Sequence, residues 1–574
     1  MTSGVVTQDW QQILARRSFL EGDALDRAAA LLDRDGFRVL CGPFDRLESP
    51  WLEPQGIVPQ ADDGVVIARG TVAGRPAVIA SIEQGFQGGG TGEVSGAKIS
   101  QALRLAAEAS RAGSPTAAIL LFETGGVRLQ EANLGLNAVA EICSAVLDLR
   151  PLAPVIGVVS GEVGSFGGMS IAAGLCTRLI ITPQGRIGLN GPAVIEQEAG
   201  IDEFDSSDRA LIWSIHGGEQ RTATGLADKL VADDRDLIRD DVIDAVAAGV
   251  LRAGSHRSER VEALGSRLAS LDPKNPPTPQ DLRRLWGPTF APVDGAEPTK
   301  AATPSTVKSR GHDWLAALAA TKPAAVIPSV VRADTADATY LAVVPDPHNP
   351  FHRARNGEVG LTESWALAVA IDDIVSADAA VEMKRAVVAV VDLPSQAYGR
   401  IEETAGLHQA IAATVDAYHR ARNAGHPTVA IVVGQALSGG FLAHGLQAQQ
   451  ILALDDPGVQ IHAMHKSAAA RITLRTVDEL EKLAETVIPL SYNVRDWAKL
   501  GFCDGLLSVS DADTPTADDI STVRNAVGAA IAAARSGPRD LSNRLESPGA
   551  LQNRKASRAI HDVMSAQWHD AGAP

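Results

Sequence analysis

Short apolar runs recur along the chain. Each leads through a turn into a stretch whose apolar positions fall at helical spacing. AAILLFE (117–123) runs to Gly125-Gly126 and then to RLQEANLGLNAVAEICSAVLDL (128–149). PVIGVVS (154–160) runs to Gly167-Gly168 and another helix start. Upstream, residues 7–35 read as helical and amphipathic, residues 36–60 as irregular, and VVIARGTV and RPAVIASI as two strands joined through Ala73–Arg75. The glycine-rich QGGGTGEVSGAKI (87–99) opens a helix predicted to run through Ala112. Downstream, residues 180–200 read as strand, turn and helix start, and residues 204–230 as helical with a break at Gly217-Gly218. Helices continue to about Leu271.

The same order then returns. AVVAVVDLPSQAYGRIEETAGLHQAIAA (386–413) repeats the pattern of residues 117–142, and PTVAIVVGQALSGGFLAHG (427–445) repeats that of 154–174. Arg128 stands as far from Arg400 as Gly168 does from Gly440, so two separate motifs share one offset. The chain reads as two homologous α/β domains. A shift toward Pro, Thr, Ala and Gly begins near residue 272 and marks a linker. The bounds drawn from this are 1–286, a linker at 287–310, and 311–574, with a helical segment rich in Ala and Arg closing the chain. A length of 574 residues exceeds what one core holds.

A net charge of -17 argues against non-specific nucleic-acid binding, which rests on neutralising phosphates. Cys41, Cys143, Cys176 and Cys503 form no CxxC pair, so neither a zinc ribbon nor a disulfide framework is expected. They read as buried thiols of a reducing compartment. The N-terminus shows no apolar signal region, and no run is expected to reach the ~20 apolar residues of a membrane span. The expectation is cytoplasmic.

The candidate chemistry sits in the turns. A glycine pair at a strand end, opening a helix, lets a ligand approach backbone amides that have no intrahelical partner. The amides of Gly125, Gly126, Gly167 and Gly168 are therefore expected to form an oxyanion hole, with Ser438, Gly439 and Gly440 as a related turn in the second domain. The bland reading is ordinary tight turns. Gly88, Gly89 and Gly90 with Lys98 and Arg128 are expected to meet the phosphates of a pantetheine-type arm. The alternative for Gly90-x-Gly92-x-x-x-Gly96 is a dinucleotide turn with Glu123 as ribose-binding acid, a weak pattern because the glycines lie several residues past the strand. Ser165 and Ser438 lack the G-x-S-x-G elbow of a serine hydrolase. His462, His465 and Lys466 form the most polar cluster of the second domain, without the spacing of a metal site. Glu131 with Arg128, and Glu403 with Arg400, read as helix-start caps and ion pairs. Glu196 and Gln197 read as either structural or pocket-lining.

FQGGGTGEVSGAKI (86–99), ETGGVRLQEA (123–132), SFGGM (165–169) and IGLNGPAVIEQ (187–197), in that order, resemble the carboxyltransferase branch of the crotonase superfamily. Within it, residues 1–290 resemble the beta subunit of biotin-independent malonate decarboxylase. ALSGGF (436–441), AMHKSAAARIT (463–473) and SYNVRDWAKLGFCDGLL (491–507) resemble its gamma subunit, so the chain looks like a fusion of the two. The resemblance implies two tandem crotonase-like ββα-superhelix domains of the carboxyltransferase type, α/β in class, paired face to face around one site. It implies decarboxylation of malonyl-S-acyl-carrier protein to acetyl-S-acyl-carrier protein and CO2, with no tightly bound cofactor and no metal. The substrate arm is a phosphoribosyl-dephospho-CoA group on the carrier protein, for which CoA is an analogue. The implied partners are that carrier and a malonyl/acetyl acyltransferase subunit. Nucleic acid and membrane are not implied, and homodimerisation is compatible with it. Such chemistry needs an oxyanion hole for the thioester enolate and an acid for the carbanion carbon. His465, Tyr398 and Glu131 are the candidate acids, in that order. In this reading the Ser438-Gly439-Gly440 turn holds the departing carboxylate or its CO2; the alternatives are a malonyl-S-carrier-protein:biotin-protein carboxyltransferase, whose biotin carbonyl would take that turn, and a catalytically silent assembly scaffold. Pro394-Ser395 stands where the first domain has Gly125-Gly126, so the two domains are not expected to play equal roles.

Overall fold

A computed structural model of the chain describes residues 10–34, 36–287, 290 and 303–570. Alternation of apolar strands with helices produces one sheet per repeat. The first holds β1 (Arg38–Leu40), β2 (Val65–Val72), β3 (Arg75–Ile82), β4 (Ala117–Phe122), β5 (Val155–Val159), β6 (Arg178–Ile181) and β7 (Lys229–Leu230), in that spatial order. β1–β3 pair antiparallel, and β3–β7 pair parallel. The β2–β3 turn uses Ala73 and Gly74, both at positive φ, as a two-residue hairpin requires. β4 and β5 are buried at every residue, as central parallel strands covered on both faces must be.

The second sheet repeats this plan. β8 (Ala324–Ile327), β9 (Val330–Asp334) and β10 (Ala338–Val343) pair antiparallel. β11 (Ala386–Leu393), β12 (Thr428–Leu437), β13 (Gln450–Leu454) and β15 (Gly505–Leu507) continue parallel, and β14 (Gln460–His462) pairs with the far end of β12. The tandem α/β organisation read from the sequence is therefore the architecture observed.

The domains meet through helices. Ala132–Leu149 and Gly168–Leu175 of the first domain lie against Leu407–Asn423 of the second. Their contact is polar as well as apolar: Arg150 Nη2 meets Asp416 Oδ2 at 2.6 Å, and Arg422 donates to Ser144 Oγ at 3.1 Å. The last helix, Lys555–His569, crosses back to the first domain. There Ser557 donates to Glu93, Cys41 N donates to Gln567 Oε1, and Arg69 Nη1 donates to Trp568 O.

Several sequence expectations change. Residues 7–35 do not form one helix: Trp10–Ala15 and Ala24–Leu31 are separate. The Asp233 carboxylate binds Ser18 Oγ and the amides of Phe19 and Leu20, which fixes a turn between them. Residues 272–286 are not linker, because Pro279–Leu285 is a capped helix and Leu282 and Trp286 are buried. Most of the linker at 287–310, residues 288–289 and 291–302, lies outside the described residues. Leu129–Leu149 does reach membrane-spanning length and apolarity, but 94% of its apolar window is buried inside the fold, so here it serves as a core helix. The four thiols are free; three are buried and Cys503 is half-buried.

One buried acid makes a pH prediction. Glu402 is buried with Oε2 unpartnered, and loss of hydration pushes its pKa from the ordinary 4.5 up to about 8, with Glu203, Glu363 and Glu403 adding repulsion. Between those values the folded chain keeps a proton that the unfolded chain releases. Its contribution to stability is thus complete below pH 4.5 and is lost as pH rises toward 8. Glu402→Gln is expected to flatten the fall in melting temperature between about pH 5.5 and about pH 8.5. An unchanged slope in thermal melts would remove Glu402 as its source.

Candidate active site between the domains

Three loops of the first domain converge past the strand ends. Single parallel bridges join Thr124 to Ser165 and Ser165 to Ile187, extending the ladders of β4, β5 and β6. Thr124 N donates to Gly164 O, Phe166 N to Thr124 O, and Gly167 N to Leu189 O at 2.9 Å. These bonds press the two glycine turns together. A Cβ on Gly126 would lie 3.0 Å from Gly167 Cα, and one on Gly167 would lie 3.0 Å from Gly126 Cα and 3.7 Å from Val127 N. Gly126 and Gly167 also have φ of 110° and 56°, where a side chain is strained.

A cavity of about 320 Å³ opens over these turns. Gly88, Gly90, Gly125, Val127, Gly167, Gly168 and Asn190 line it from one domain, and Gln396, Tyr398, Ser438, Gly439 and Met464 from the other. Accounting for each backbone donor shows what the wall can offer. Gly125 N donates to Gly88 O at 3.0 Å and Gly126 N to Thr124 Oγ1 at 3.0 Å. With Gly167 N also engaged, three of the four amides expected to form the oxyanion hole are spent on the turns themselves. Among the described residues nothing accepts from Val127 N–H or Gly168 N–H, and both residues line the cavity. Gly168 opens the helix Gly168–Leu175, so its free N–H lies at the positive end of the helix. Val127 and Gly168, not the four glycines expected, are therefore the turn residues whose amides remain open to a ligand oxygen. The sequence showed the turns, but not which amides they consume.

The second domain shows the same turn with different contents. Thr91 N donates to Gly126 O and Arg128 N to Thr91 O; Val359 N donates to Ser395 O and Ala397 N to Val359 O. Ser395, Gln396 and Ala397 thus correspond to Gly126, Val127 and Arg128, so Arg400 is not the counterpart of Arg128. Ser438, with φ of 60°, takes the place of Gly167, which makes Gly439 rather than Gly440 the counterpart of Gly168. Gly439 N donates to Gln396 Oε1 at 2.7 Å. Gly440 does not line the cavity; its Cα packs on Ser395, where a Cβ would lie 2.7 Å from the carbonyl oxygen. The match of Pro394-Ser395 to Gly125-Gly126 holds.

The cations expected to meet phosphates have their charges committed to other partners, although Arg128 itself lines the cavity. Lys98 is fully buried, with Nζ donating to the carbonyls of Asp62 and Val65. Arg128 is buried against Asp63 Oδ1 and Glu131 Oε2, both at 2.7 Å. A Cβ at Gly92 would collide with the Glu131 carboxylate, which accepts from Glu93 N at the start of helix Glu93–Arg111. A carboxylate thus holds the place where the dinucleotide reading needs a pyrophosphate. Of the glycine loop, Gly88 and Gly90 line the cavity, whereas Gly89 packs against the Glu123 backbone. Glu123 is buried, and loss of hydration pushes its pKa up to about 7.

Among the candidate acids, the ion pair removes Glu131. His465 is half-buried, precedes helix Lys466–Ile472 and does not line the cavity. His462 is stacked on Tyr492 at 3.9 Å, with burial pushing its pKa down to about 3, and Lys466 pairs with Glu481. Tyr398 does line the cavity. Its hydroxyl lies 3.3 Å from Ser438 Oγ, and burial pushes its pKa upward, which keeps the phenol protonated. Ser165 Oγ has no partner among the described residues, so no base activates it as a nucleophile. Glu403 does not pair with Arg400. Its carboxylate accepts from Leu189 N at 3.1 Å and Asn190 N at 2.7 Å across the domain boundary. Glu196 accepts from Ser206 N and reads as structural.

Residues 24–289 match the carboxyl transferase domain family, and residues 354–568 match the malonate decarboxylase gamma subunit family. The chain is 41% identical over 230 residues to the malonyl-S-ACP:biotin-protein carboxyltransferase MADC of Malonomonas rubra, covering 38% of this chain and 72% of that one. It is 38% identical over 133 residues to MADD of the same organism, covering 23% of this chain and 46% of the relative. A chain from a Pseudomonas malonate decarboxylase hetero-tetramer crystallised with malonate shares 58% identity, with 48% of this chain and all (100%) of that chain covered, at a TM-score of 0.47. With its carboxyl transferase half and its gamma-subunit half joined in one polypeptide, the chain belongs to the malonate decarboxylase family of carboxyltransferases.

Proposed function

We propose that this chain decarboxylates a malonyl thioester through an enolate held by Val127 N–H and Gly168 N–H. The observation that carries the reading is this pair of unaccepted amides on one wall of the interdomain cavity. The C–CO2⁻ bond breaks, CO2 leaves, and its electron pair passes into the thioester as an enolate. The two amides stabilise the enolate oxygen, and one such donor is worth ~2.7–4 kcal/mol in the transition state. The carboxylate faces the second-domain wall of Gln396, Tyr398 and Ser438. Tyr398 then gives its proton to the carbanion carbon, leaving an acetyl thioester, and regains one from solvent. The malonyl group arrives on the CoA-like arm of an acyl-carrier protein, with an acyltransferase reloading that carrier in a malonate decarboxylase complex. The glycine loop at Gly88 and Gly90 gives the arm close backbone approach at the cavity wall. The second reading, carboxyl transfer to a biotin protein, is favoured by the 41% identity to a relative that bears that name.

Purified chain is expected to release CO2 from malonyl-CoA with neither biotin nor a biotinylated protein present; release only when biotinylated protein is added selects the second reading. Gly126→Ala is expected to cut kcat by ~10²–10³ in the fraction that folds and also to lower the melting temperature, because a Cβ at that positive φ is strained and pushes the two turns apart. Tyr398→Phe is expected to lower kcat by ~10² or more at nearly constant KM, while His465→Ala keeps most activity. The opposite ranking of these two variants would return the proton donor to His465.

A further inference from the structure

The two domains carry the same turn, and only the first leaves both of its amides open; in the second, Gln396 N–H has no acceptor among the described residues but Gly439 N–H is taken. In the first domain the paired donors, Val127 N–H and Gly168 N–H, have no acceptor among the described residues. In the second the paired positions are Gln396 and Gly439. Here the Gly439 N–H is already bound, at 2.7 Å, by the side-chain carbonyl of Gln396. The residue whose backbone forms one half of the turn thus fills the other half with its own carboxamide. Valine at the equivalent position of the first domain has nothing to fill it with.

The filling is held from behind. Gln396 is 7% exposed. Its Nε2 donates to Asn190 Oδ1 at 2.8 Å, and Asn190 Nδ2 donates to the Ala397 carbonyl at 2.8 Å. Asn190 N in turn donates to Glu403 Oε1 at 2.7 Å. Both ends of the carboxamide are therefore satisfied, by a relay that crosses the domain boundary twice. A ligand carbonyl entering this turn would have to break the Gly439 bond and leave a buried carboxamide oxygen unpaired.

We infer that Gln396 is a built-in occupant of a second oxyanion hole, and that it excludes from the hole the carbonyl of a ureido-type carboxyl acceptor such as biotin. The inference rests on the decarboxylase reading and sharpens it: with the acceptor's seat filled, the carboxyl group departs as CO2. Gln396 acts here as a specificity-determining residue.

The test is equilibrium dialysis of labelled biotin against the full chain, Gln396→Ala and Asn190→Ala, with thermal melts of each and CO2 release from malonyl-CoA measured on the parent chain. The parent is expected to show no saturable binding at millimolar biotin. Gln396→Ala is expected to bind at least about tenfold more tightly, the value of one good hydrogen bond to the freed Gly439 amide. Asn190→Ala, which frees the glutamine without removing it, is expected to show a smaller gain and decides the matter if Gln396→Ala does not fold. Saturable biotin binding by the parent overturns the inference, as does no gain in a folded variant. Should biotin binding appear in the variants while the parent releases no CO2, the filled hole stands and the decarboxylase reading falls. Should the parent release CO2 and the variants gain nothing, the reverse holds.

Discussion

The backbone at Gly126 touches the backbone at Gly167, and the site is arranged around that contact. Any side chain at either position would enter the other turn at 3.0 Å. The contact brings together the two turns that carry the unaccepted amides of Val127 and Gly168. It also explains why the glycines come in pairs. One member of each pair allows the approach; the turn's own bonds then consume Gly125, Gly126 and Gly167 as donors. Gly168 is constrained differently, since a Cβ there would lie 2.7 Å from Val139 and 3.2 Å from Leu442 of the second domain. Leu442 of the second domain thus packs directly against the Gly168 backbone.

The second domain also braces the hole through backbone. Glu403 holds the amides of Leu189 and Asn190, and the Leu189 carbonyl accepts from Gly167 N. Two bonds therefore run from the second domain to the first domain's glycine turn. Arg221 donates to the Glu403 carbonyl, and its charge lies 3.9 Å from the carboxylate. Burial pushes the Glu403 pKa up to about 7 against that attraction. Such buried pairs add little net stability, because desolvation offsets most of the attraction. Their value here is register: a carboxylate with two amide donors accepts one arrangement of the two domains. Joining the halves in one polypeptide keeps the brace and the hole together at any protein concentration.

The fold was largely legible because it depends on periodicity. Apolar runs such as AAILLF and AVVAVVDL can only be strands buried on both faces, and the repeated order fixed the tandem plan. The place of the cavity was legible from the recurrence of glycine pairs at successive strand ends, since a single pair would read as an ordinary tight turn. Its inventory was not. Which N–H remains free depends on where Gly88 O, Thr124 Oγ1 and Leu189 O fall in space, and no local pattern encodes that. Lys98 and Arg128 looked like phosphate ligands because their buried partners, the Asp62 and Val65 carbonyls and the Asp63 carboxylate, lie on a different segment. The Arg128–Arg400 match was a coincidence of spacing. The hydrogen-bond pattern aligns Arg128 with Ala397, and the salt bridge of the first domain has no copy there.

The duplicated turn shows how the two copies diverged. Ser438 keeps the positive φ of Gly167, 60° against 56°, although a side chain in such a conformation costs roughly 1–3 kcal/mol. A turn with no function would relax that strain. What the second copy gains is a hydroxyl 3.3 Å from Tyr398 in the cavity wall. Its other donor, Gly439 N–H, is given to Gln396. The geometry of the turn is thus retained while its contents change, from two open amides to one open amide at Gln396, a filled one at Gly439 and a phenol–hydroxyl pair beside them. In the proposed reaction one copy would hold negative charge on oxygen, and the other would shape and protonate what faces it. A single cavity then needs both copies, and the strain at Ser438 is the cost of building the second wall from the same fold as the first.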